Sequence, residues 1–282
     1  MIKVFTAKNE HRNKVISLWK KCFGDGEDYI SFFIDNCPEY VCVGYFYDNN
    51  LVSMLFLLNG TLLNKKCHYL YAACTDPVYR KQGIMEQLIT FSKLFCKSRG
   101  SSGIFLVPAN EELYNFYSKF GFISSFTKSK ISISCDKGER SGYSCKNIDV
   151  ITELKCELLS GLNCFAFDRP TLEYTVKEHF YNGGEALVYK GSEGNLLSFF
   201  YIANDCIIVK ELLSDFVFSI DFIKNLFKNK YTENIYIFTP IVYNTKDIGE
   251  EYTKCGMCFP IDDELADYLH TETRLYAGMY LD

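Results

Sequence analysis

Residues 75–85 read Thr-Asp-Pro-Val-Tyr-Arg-Lys-Gln-Gly-Ile-Met, and more of the fold can be inferred from this stretch than from any other. The apolar segment before it, His68–Thr75, predicts a strand, and apolar residues at helical spacing predict a helix over Ile84–Lys97. Such a strand-to-helix turn presents backbone N–H groups at a positive helix N-terminus, which suits phosphate groups. Gly83 permits close approach of the backbone, and the two basic residues before it add charge. A turn that binds no ligand would accept the same polar residues.

The composition is that of an ordinary globular protein, with 48% hydrophobic and 23% charged residues among 282. At roughly 150 residues per domain, this length predicts about two domains. The sequence has no apolar run of the roughly 18 residues that a membrane span needs, and its start does not read as a signal peptide. We therefore expect a cytoplasmic protein without a membrane partner. Its thirteen scattered cysteines are expected to be reduced thiols.

The charge is divided unevenly along the chain. Residues 1–130 carry 16 Lys and Arg against 11 Asp and Glu, whereas the remainder carries 14 against 24, for a net charge of −5. This total gives no support to general nucleic-acid binding. A basic front part suits a polyanionic ligand and an acidic remainder suits a cation, although solvated faces would produce the same pattern.

An internal repeat is visible in the sequence. Asn50–Asn59 matches Asn195–Asn204 at Asn, Leu, Ser and the final Asn. Three further matches follow in the same order: Thr75–Pro77 with Ser214–Phe216, Ile104–Pro108 with Tyr236–Pro240, and Tyr117–Phe122 with Tyr252–Met257. We interpret the chain as two copies of one domain, the second lacking a loop. The boundaries predicted are a domain over 1–135, a polar, Gly- and Ser-rich linker over 136–146, and a second domain over 147–282.

The first copy is predicted to be an α/β domain with a mixed sheet and helices on both sides. The other predicted elements are strands Lys3–Thr6 and Gly103–Val107, a hairpin of Tyr40–Tyr47 and Leu51–Leu63, helices Glu10–Cys22, Asp28–Asp35 and Glu111–Lys119, and final strands from Phe122. In the helix Ile84–Lys97 we expect six apolar residues to face inward: Met85, Leu88, Ile89, Phe91, Leu94 and Phe95.

Two motifs now point to a known family. Arg80–Met85 resembles the Arg/Gln-x-x-Gly-x-Gly/Ala cofactor loop of the GCN5-related N-acetyltransferases (GNAT). Asn110–Phe122 resembles the second signature of that family, in which Asn precedes a helix whose Tyr lies four residues before Gly-Phe. Met85 departs from the pattern where Gly or Ala is preferred, and Leu113 departs where a small residue is usual. Because the loop binds through backbone donors, a long side chain at position 85 can turn away.

The resemblance implies acetyl-CoA as co-substrate, a fold of tandem GNAT-like domains and no metal. It assigns the pantetheine arm to the main chain of Ala73, Cys74 and Thr75, with one N–H group polarising the thioester carbonyl. It assigns the pyrophosphate to Arg80, Lys81, Gln82, Gly83, Ile84 and Met85, a CoA contact to Asn110, and the role of general acid to Tyr117. A phenol can protonate the departing thiolate when an amine attacks the thioester. The alternative interpretation of Tyr117 is a core aromatic residue.

Other features leave alternatives open. No residue is clearly a base, since His68, Glu27, Asp28, Glu112 or a water chain are all candidates. The turn with Glu27 and Asp28 is predicted to bind a cationic acceptor. Cys255-Gly-Met-Cys258 has half-site spacing, but no second Cys/His pair follows it, so we favour a structural interpretation.

The second copy passes from Ser214-Asp215 to a predicted helix around Phe218–Lys228 and has no Arg-x-x-Gly loop, so we expect it to be degenerate. One live and one degenerate copy is similar to the first two domains of enhanced-intracellular-survival acetyltransferases. The expected function is N-acetyl transfer to a primary amine of a small molecule or peptide. One alternative is a non-catalytic acyl-CoA-binding or sensing protein. The other is a tRNA-dependent aminoacyl transferase, and the weak overall basic charge of the chain argues against it. The acceptor and the oligomeric state are not determined by the sequence.

Overall fold

The structure is a computed structural model. It describes residues 1–134, 143–203, 206–228, 234–241, 251–271, 275–278 and 281. The first part of the chain forms β1 (Ile2–Phe5), α1 (Arg12–Phe23), α2 (Glu27–Asn36), β2 (Val41–Tyr47), β3 (Asn50–Leu62), β4 (Lys65–Thr75), α3 (Ile84–Ser98), β5 (Gly103–Leu106), α4 (Glu111–Ser118) and β6 (Ile123–Ser134). The second part forms β7 (Tyr143–Ser144), α5 (Ile148–Ser160), β8 (Cys164–Phe167), α6 (Arg169–Tyr181), β9 (Glu185–Lys190), β10 (Asn195–Ile202), β11 (Cys206–Ser214), α7 (Ile220–Phe227), β12 (Asn234–Thr239), β13 (Glu251–Pro260), α8 (Asp263–Thr271) and β14 (Tyr276–Ala277).

The chain divides into two compact units. The first contains Met1–Ser124 and Gly256–Glu272, and the second contains Ser125–Cys255 and Thr273–Asp282. Each unit therefore includes a segment that the linear division at residues 135 and 147 assigns to the other. The linker predicted for 136–146 lies mostly outside the described residues.

The first unit is a mixed sheet in the order β1-β2-β3-β4-β5-β13. The β2–β3 and β3–β4 pairs are antiparallel, β4–β5 is parallel, and the end of β13 runs antiparallel to β5 from Met257 to Pro260. Successive residues of β3 point to opposite faces: Leu55 and Leu57 pack in the core cluster with α3, whereas Phe56 lies 5.4 Å from the ring of Trp19 on α1. Helices therefore cover both faces, as the sequence predicts.

The second unit repeats this topology. Its β9–β10 and β10–β11 pairs are antiparallel, β11–β12 is parallel, and β6 runs antiparallel to β12. The helix α7 occupies the place in chain order that α3 has in the first unit. The predicted tandem α/β fold is confirmed. In each unit, the strand beside the parallel pair comes from the other half of the chain, since β13 pairs with β5 and β6 pairs with β12.

Two details of the sequence interpretation are wrong. Leu94, expected to face inward, is 66% exposed, because the apolar face of α3 is narrower than its apolar residues suggest. The match of Tyr252–Met257 with the helix end at Tyr117 also fails, since the second segment lies within strand β13 and Tyr252 is exposed. Gly256 lies within this strand, where a Cβ would overlap the ring of Phe105.

Candidate acyl-CoA site

The candidate site begins where β4 and β5 separate. The two parallel strands are paired only as far as Tyr69 and Phe105, and in the described strands β4 continues to Thr75 without that neighbour. The register of β4 with β3 shifts along this stretch, and Ala72 has a left-handed φ of 47°. These features define a β-bulge, which bends the strand and changes the direction of its following groups. The end of β4 thus offers main-chain groups to an extended ligand.

The three residues predicted for the pantetheine arm form this separated end. Cys74 is buried, whereas Ala73 and Thr75 are partly exposed. On the β3 side, the hydroxyl of Ser53 donates to the Cys74 carbonyl at 2.9 Å and lies 2.8 Å from the hydroxyl of Thr75. Sequence reasoning missed Ser53, because its contact depends on the register of β3 with β4.

The loop after β4 is shaped by two left-handed residues. Asp76 accepts a hydrogen bond from the N–H of Val78 at 3.1 Å and closes a short 3₁₀ turn. Lys81 then has a φ of 61° and Gly83 a φ of 71°. Left-handed residues within a turn direct successive N–H groups to one side, which favours an anion.

The N-terminus of α3 is open. Its N-cap, Gly83, gives no side-chain hydrogen bond, so the N–H groups of the first turn remain available to a ligand. Ile84 is buried, and Met85 packs against the core cluster of the first unit. The long side chain at position 85 therefore turns away from the loop, as the sequence analysis allowed.

Positive charge surrounds this loop. Arg80 and Lys81 are exposed, and Arg80 Nε donates to the Thr75 carbonyl at 3.0 Å. From α1, Lys21 forms an ion pair with Asp76 at 2.7 Å. This ion pair fastens the start of the loop to α1, and no sequence pattern indicated it.

Tyr117 lies on α4 and is 7% exposed. It belongs to the core cluster against which Ala73 and Met85 also pack, and the ring of Phe122 lies 5.5 Å away. Burial raises the pKa of Tyr117 to about 12. The phenol therefore stays protonated at neutral pH, as a proton donor must.

Asn110 caps α4. Its side-chain oxygen accepts a hydrogen bond from the N–H of Leu113 at 3.0 Å. The amide nitrogen of Asn110 is then the group that a ligand would meet, so its contact with CoA stays a prediction. Leu113 packs against the same core cluster as Tyr117.

His68 is far from the separated end of β4. It is buried, its Nδ1 lies 3.1 Å from the hydroxyl of Ser101, and the strand places it roughly 15–25 Å from Ala73 to Thr75. Burial, and after it the charges of Lys66 and Arg99, lower the pKa of His68 to about 4. This position argues against His68 as the base.

The acidic turn lies at the start of α2. Glu27 and Asp28 are exposed in the first helical turn, where they interact favourably with the helix dipole, and Glu27 pairs with Lys20 at 3.2 Å. Before them, Asp25 accepts a hydrogen bond from the indole N–H of Trp19 at 2.7 Å. Their predicted contact with an acceptor remains a prediction. Glu112 is exposed at the start of α4.

The second copy differs from the first at the helix N-terminus and at the strand that precedes it. The N-terminus of α7 is capped by Ser219, whose hydroxyl accepts from the N–H of Phe222 at 3.2 Å. On β11, the carboxylate of Glu211 is buried, pairs with Lys155 at 2.7 Å and accepts from the hydroxyl of Tyr276 at 2.9 Å. The capped N-terminus of α7 and the buried side-chain cluster on β11 support the expectation that this copy is degenerate.

Residues 3–124 match the family model described as the acetyltransferase (GNAT) domain. The solved structure of Eis1 from Mycobacterium abscessus is similar with a TM-score of 0.67 at 12% identity, covering 95% of this chain and 76% of that one. A GCN5-related N-acetyltransferase from Anabaena variabilis has a TM-score of 0.66 at 14% identity, covering 93% and 73%. A tandem GNAT protein from the clavulanic acid biosynthesis pathway has a TM-score of 0.56 at 9% identity, covering 93% and 99%.

Residues 3–124 therefore match the model of a GNAT acetyltransferase domain, and the fold of the chain is similar to that of solved tandem GNAT proteins. No curated protein matches the sequence. Among the described residues, no helix combines the length and apolar character that a membrane crossing needs. In the same ranges, no three His, Cys, Asp or Glu side chains lie close enough together to hold a metal ion.

Proposed function

We propose that the protein is an N-acetyltransferase that moves the acetyl group of acetyl-CoA to a primary amine of a small molecule or peptide. The observation that carries this proposal is the open N-terminus of α3 at Gly83, directly after the separated end of β4. A helix end of this kind binds a pyrophosphate, and an unpaired strand end hydrogen-bonds an extended chain. The GNAT match over residues 3–124 supports the same activity.

The local structure supports a binding role for each of these segments. The main chain of Ala73, Cys74 and Thr75 takes the pantetheine arm in place of a neighbouring strand, and one of its N–H groups polarises the thioester carbonyl. Backbone groups from Gln82 to Met85 hold the pyrophosphate, and the nearby charges of Arg80 and Lys81 stabilise it. Asn110 contributes its amide N–H.

The chemical step is direct attack by a neutral amine. The amine nitrogen bonds to the thioester carbonyl carbon, the carbon–sulfur bond breaks, and the sulfur takes a proton from Tyr117. Because the pKa of Tyr117 is about 12, proton donation from it is harder than from an ordinary phenol. Each unit by which the pKa is raised adds about 1.36 kcal/mol to the free energy of this proton transfer. A thiolate in the same apolar surroundings is also more basic than in water, so the two shifts partly compensate.

Water is the proposed acceptor of the proton that the amine loses. Among the side chains considered, His68 lies at the wrong end of β4 and Glu27 is held by Lys20. We keep Glu27 and Asp28 as a proposed contact for a cationic acceptor before that proton is lost.

Calorimetric titration with acetyl-CoA tests the binding proposal. We expect one site per chain, because α3 follows the separated end of β4 and has an open N-terminus, whereas its counterpart in the second copy, α7, is capped by Ser219. Two sites per chain would contradict the degenerate second copy. Absence of binding would contradict the proposed function itself.

The variant Tyr117→Phe tests the proposed catalytic role. Removing the hydroxyl should lower kcat by about 10²- to 10⁴-fold while acetyl-CoA still binds, as measured by CoA thiol release with a panel of primary amines. Tyr114→Phe is the matched control, since Tyr114 is also buried on α4. Unchanged turnover in Tyr117→Phe would remove Tyr117 from the mechanism. Acetyl-CoA binding without turnover by any tested amine in the unsubstituted protein would favour a sensing protein.

A further inference from the structure

Two cysteine thiols meet beside the candidate site. Cys22 lies in the last turn of α1, and Cys74 lies on the separated end of β4. Cys22 Sγ donates to the Thr75 carbonyl at 3.5 Å, which places its thiol beside the residue that follows Cys74. The two thiols interact closely enough that each shifts the pKa of the other. Both cysteines are free thiols in this structure. The contact joins residues far apart in sequence, so it reflects the packing of α1 against β4.

The two thiols differ in reactivity. Cys22 is partly exposed, and its hydrogen bond with Cys74, followed by contact with Arg80, lowers its pKa to about 7. The carboxylate of Asp76 opposes this shift, although Lys21 pairs with that carboxylate. Cys74 is 6% exposed, and its pKa is raised well above the ordinary value by the same hydrogen bond and by burial. A reactive thiolate therefore lies against a protected thiol, the arrangement of an attacking and a resolving cysteine.

We propose that Cys22 and Cys74 are a site of oxidative modification that closes to a disulfide when the protein meets a peroxide. The Cys22 thiolate attacks one oxygen of hydrogen peroxide, the O–O bond breaks, and sulfenic acid and hydroxide form. The sulfur of Cys74 then attacks the sulfenic sulfur, hydroxide leaves, and the proton of Cys74 converts it to water. In total, two thiols lose two electrons and one peroxide is reduced to two waters.

The disulfide changes the site because of where Cys74 lies. A covalent S–S bond of about 2.05 Å is shorter than any contact between two unbonded thiols, so the end of α1 and the end of β4 must shift. The main chain on both sides of Cys74 is the part assigned to the pantetheine arm. Oxidation also removes the thiolate that accompanies Arg80. We infer weaker acetyl-CoA binding in the oxidised protein, a consequence that rests on the proposed function.

Peptide mapping tests the disulfide directly. The full chain is treated with hydrogen peroxide, its remaining thiols are alkylated, and it is digested with chymotrypsin without reduction. Cleavage after aromatic residues yields Lys20–Phe23 and Ala72–Tyr79, each with one cysteine. We expect these peptides to be joined, and we expect Cys22→Ser to abolish the joined species. Cys156→Ser is the matched control, because Cys156 is also partly exposed but its pKa is raised, chiefly by burial.

The pH dependence of alkylation supplies a second measurement. The alkylation rate at Cys22 should rise with a midpoint near pH 7. The rate at Cys156 should rise only at a pH above that at which an ordinary cysteine thiol loses its proton. Sulfinic acid at Cys22 without a joined peptide would overturn the inference, as would preferred joining of other cysteines. Both readouts are independent of acetyl-CoA.

Titration of the oxidised and reduced protein with acetyl-CoA completes the test. We expect about tenfold weaker binding after oxidation, recovery on addition of dithiothreitol, and no oxidative loss in Cys22→Ser. Equal affinity of both forms would overturn the effect on the site. If the reduced protein binds no acetyl-CoA while the joined peptide forms, the proposed function fails and the modification site stands.

Discussion

Gly83 has the backbone conformation on which the proposed pyrophosphate loop depends. Its φ of 71° is left-handed, and a Cβ there would meet only the Glu86 carboxylate, at 3.9 Å. Gly83→Ala should therefore act through backbone strain, at a cost of about 1 kcal/mol, and through displacement of the N–H groups at the start of α3. We expect a lower melting temperature and weaker acetyl-CoA binding, measured by thermal unfolding and calorimetry.

Gly100 provides the control for that substitution. It has the same φ of 71° with nothing within 4 Å of a Cβ, and it follows the opposite end of α3. Gly100→Ala should lower stability to a similar extent and leave acetyl-CoA binding unchanged. Equal loss of affinity in the two variants would show that strain alone, rather than the loop, explains the effect.

Some residues of the site are visible in the sequence and others are not. Arg80, Gly83 and Tyr117 stand in motifs, because their proposed roles depend on spacing within one short segment. Ser53 and Cys22 contact the same strand end from distant parts of the chain. Their roles depend on strand register and helix packing, which no local pattern contains.

At the level of elements, the β-bulge in β4 determines which main-chain groups face the proposed acetyl-CoA site. Ala72 holds a φ of 47°, which a β-branched residue adopts only with strain. Ala72→Val should cost about 1–3 kcal/mol and shift the following main chain, so both the melting temperature and acetyl-CoA affinity should fall. Ala72→Gly, which tolerates this φ, should retain binding. Unchanged acetyl-CoA affinity in Ala72→Val would separate the bulge from the site.

The helices and strands of the first copy were predicted well from periodicity, and their ends differ by only a few residues. Periodicity failed at Leu94, since an apolar residue beside the buried face of α3 still lies in solvent. A short match failed at Tyr252, where the same residue types serve a strand instead of a helix end. Neither error could be corrected without the packing of the whole unit.

At the level of the whole molecule, the exchanged strand predicts how a fragment behaves. Without Gly256–Glu272, residues 1–135 lose the partner of β5 and the ring of Phe259, which lies 3.9 Å from Lys93 Nζ and 5.7 Å from Phe122. The exposed edge of β5 should promote aggregation, seen by size-exclusion chromatography and circular dichroism.

Appending residues 251–271 through a flexible linker should restore a monomer with a cooperative thermal transition. A monomeric, cooperatively folding fragment 1–135 would contradict this dependence on β13. The exchange was not foreseen, because a repeat in sequence suggests two copies in succession rather than two that trade a strand.

The late position of β13 also has a consequence for protein synthesis. A ribosome that has completed β5 must add about 150 further residues before Met257–Pro260 can pair with it, which at about 5–20 residues per second takes roughly 8–30 s. During that interval the nascent first unit holds an unpaired edge strand. Chaperone binding to the growing chain would then persist well beyond residue 135, and the acetyl-CoA site would mature only once the second half had been made.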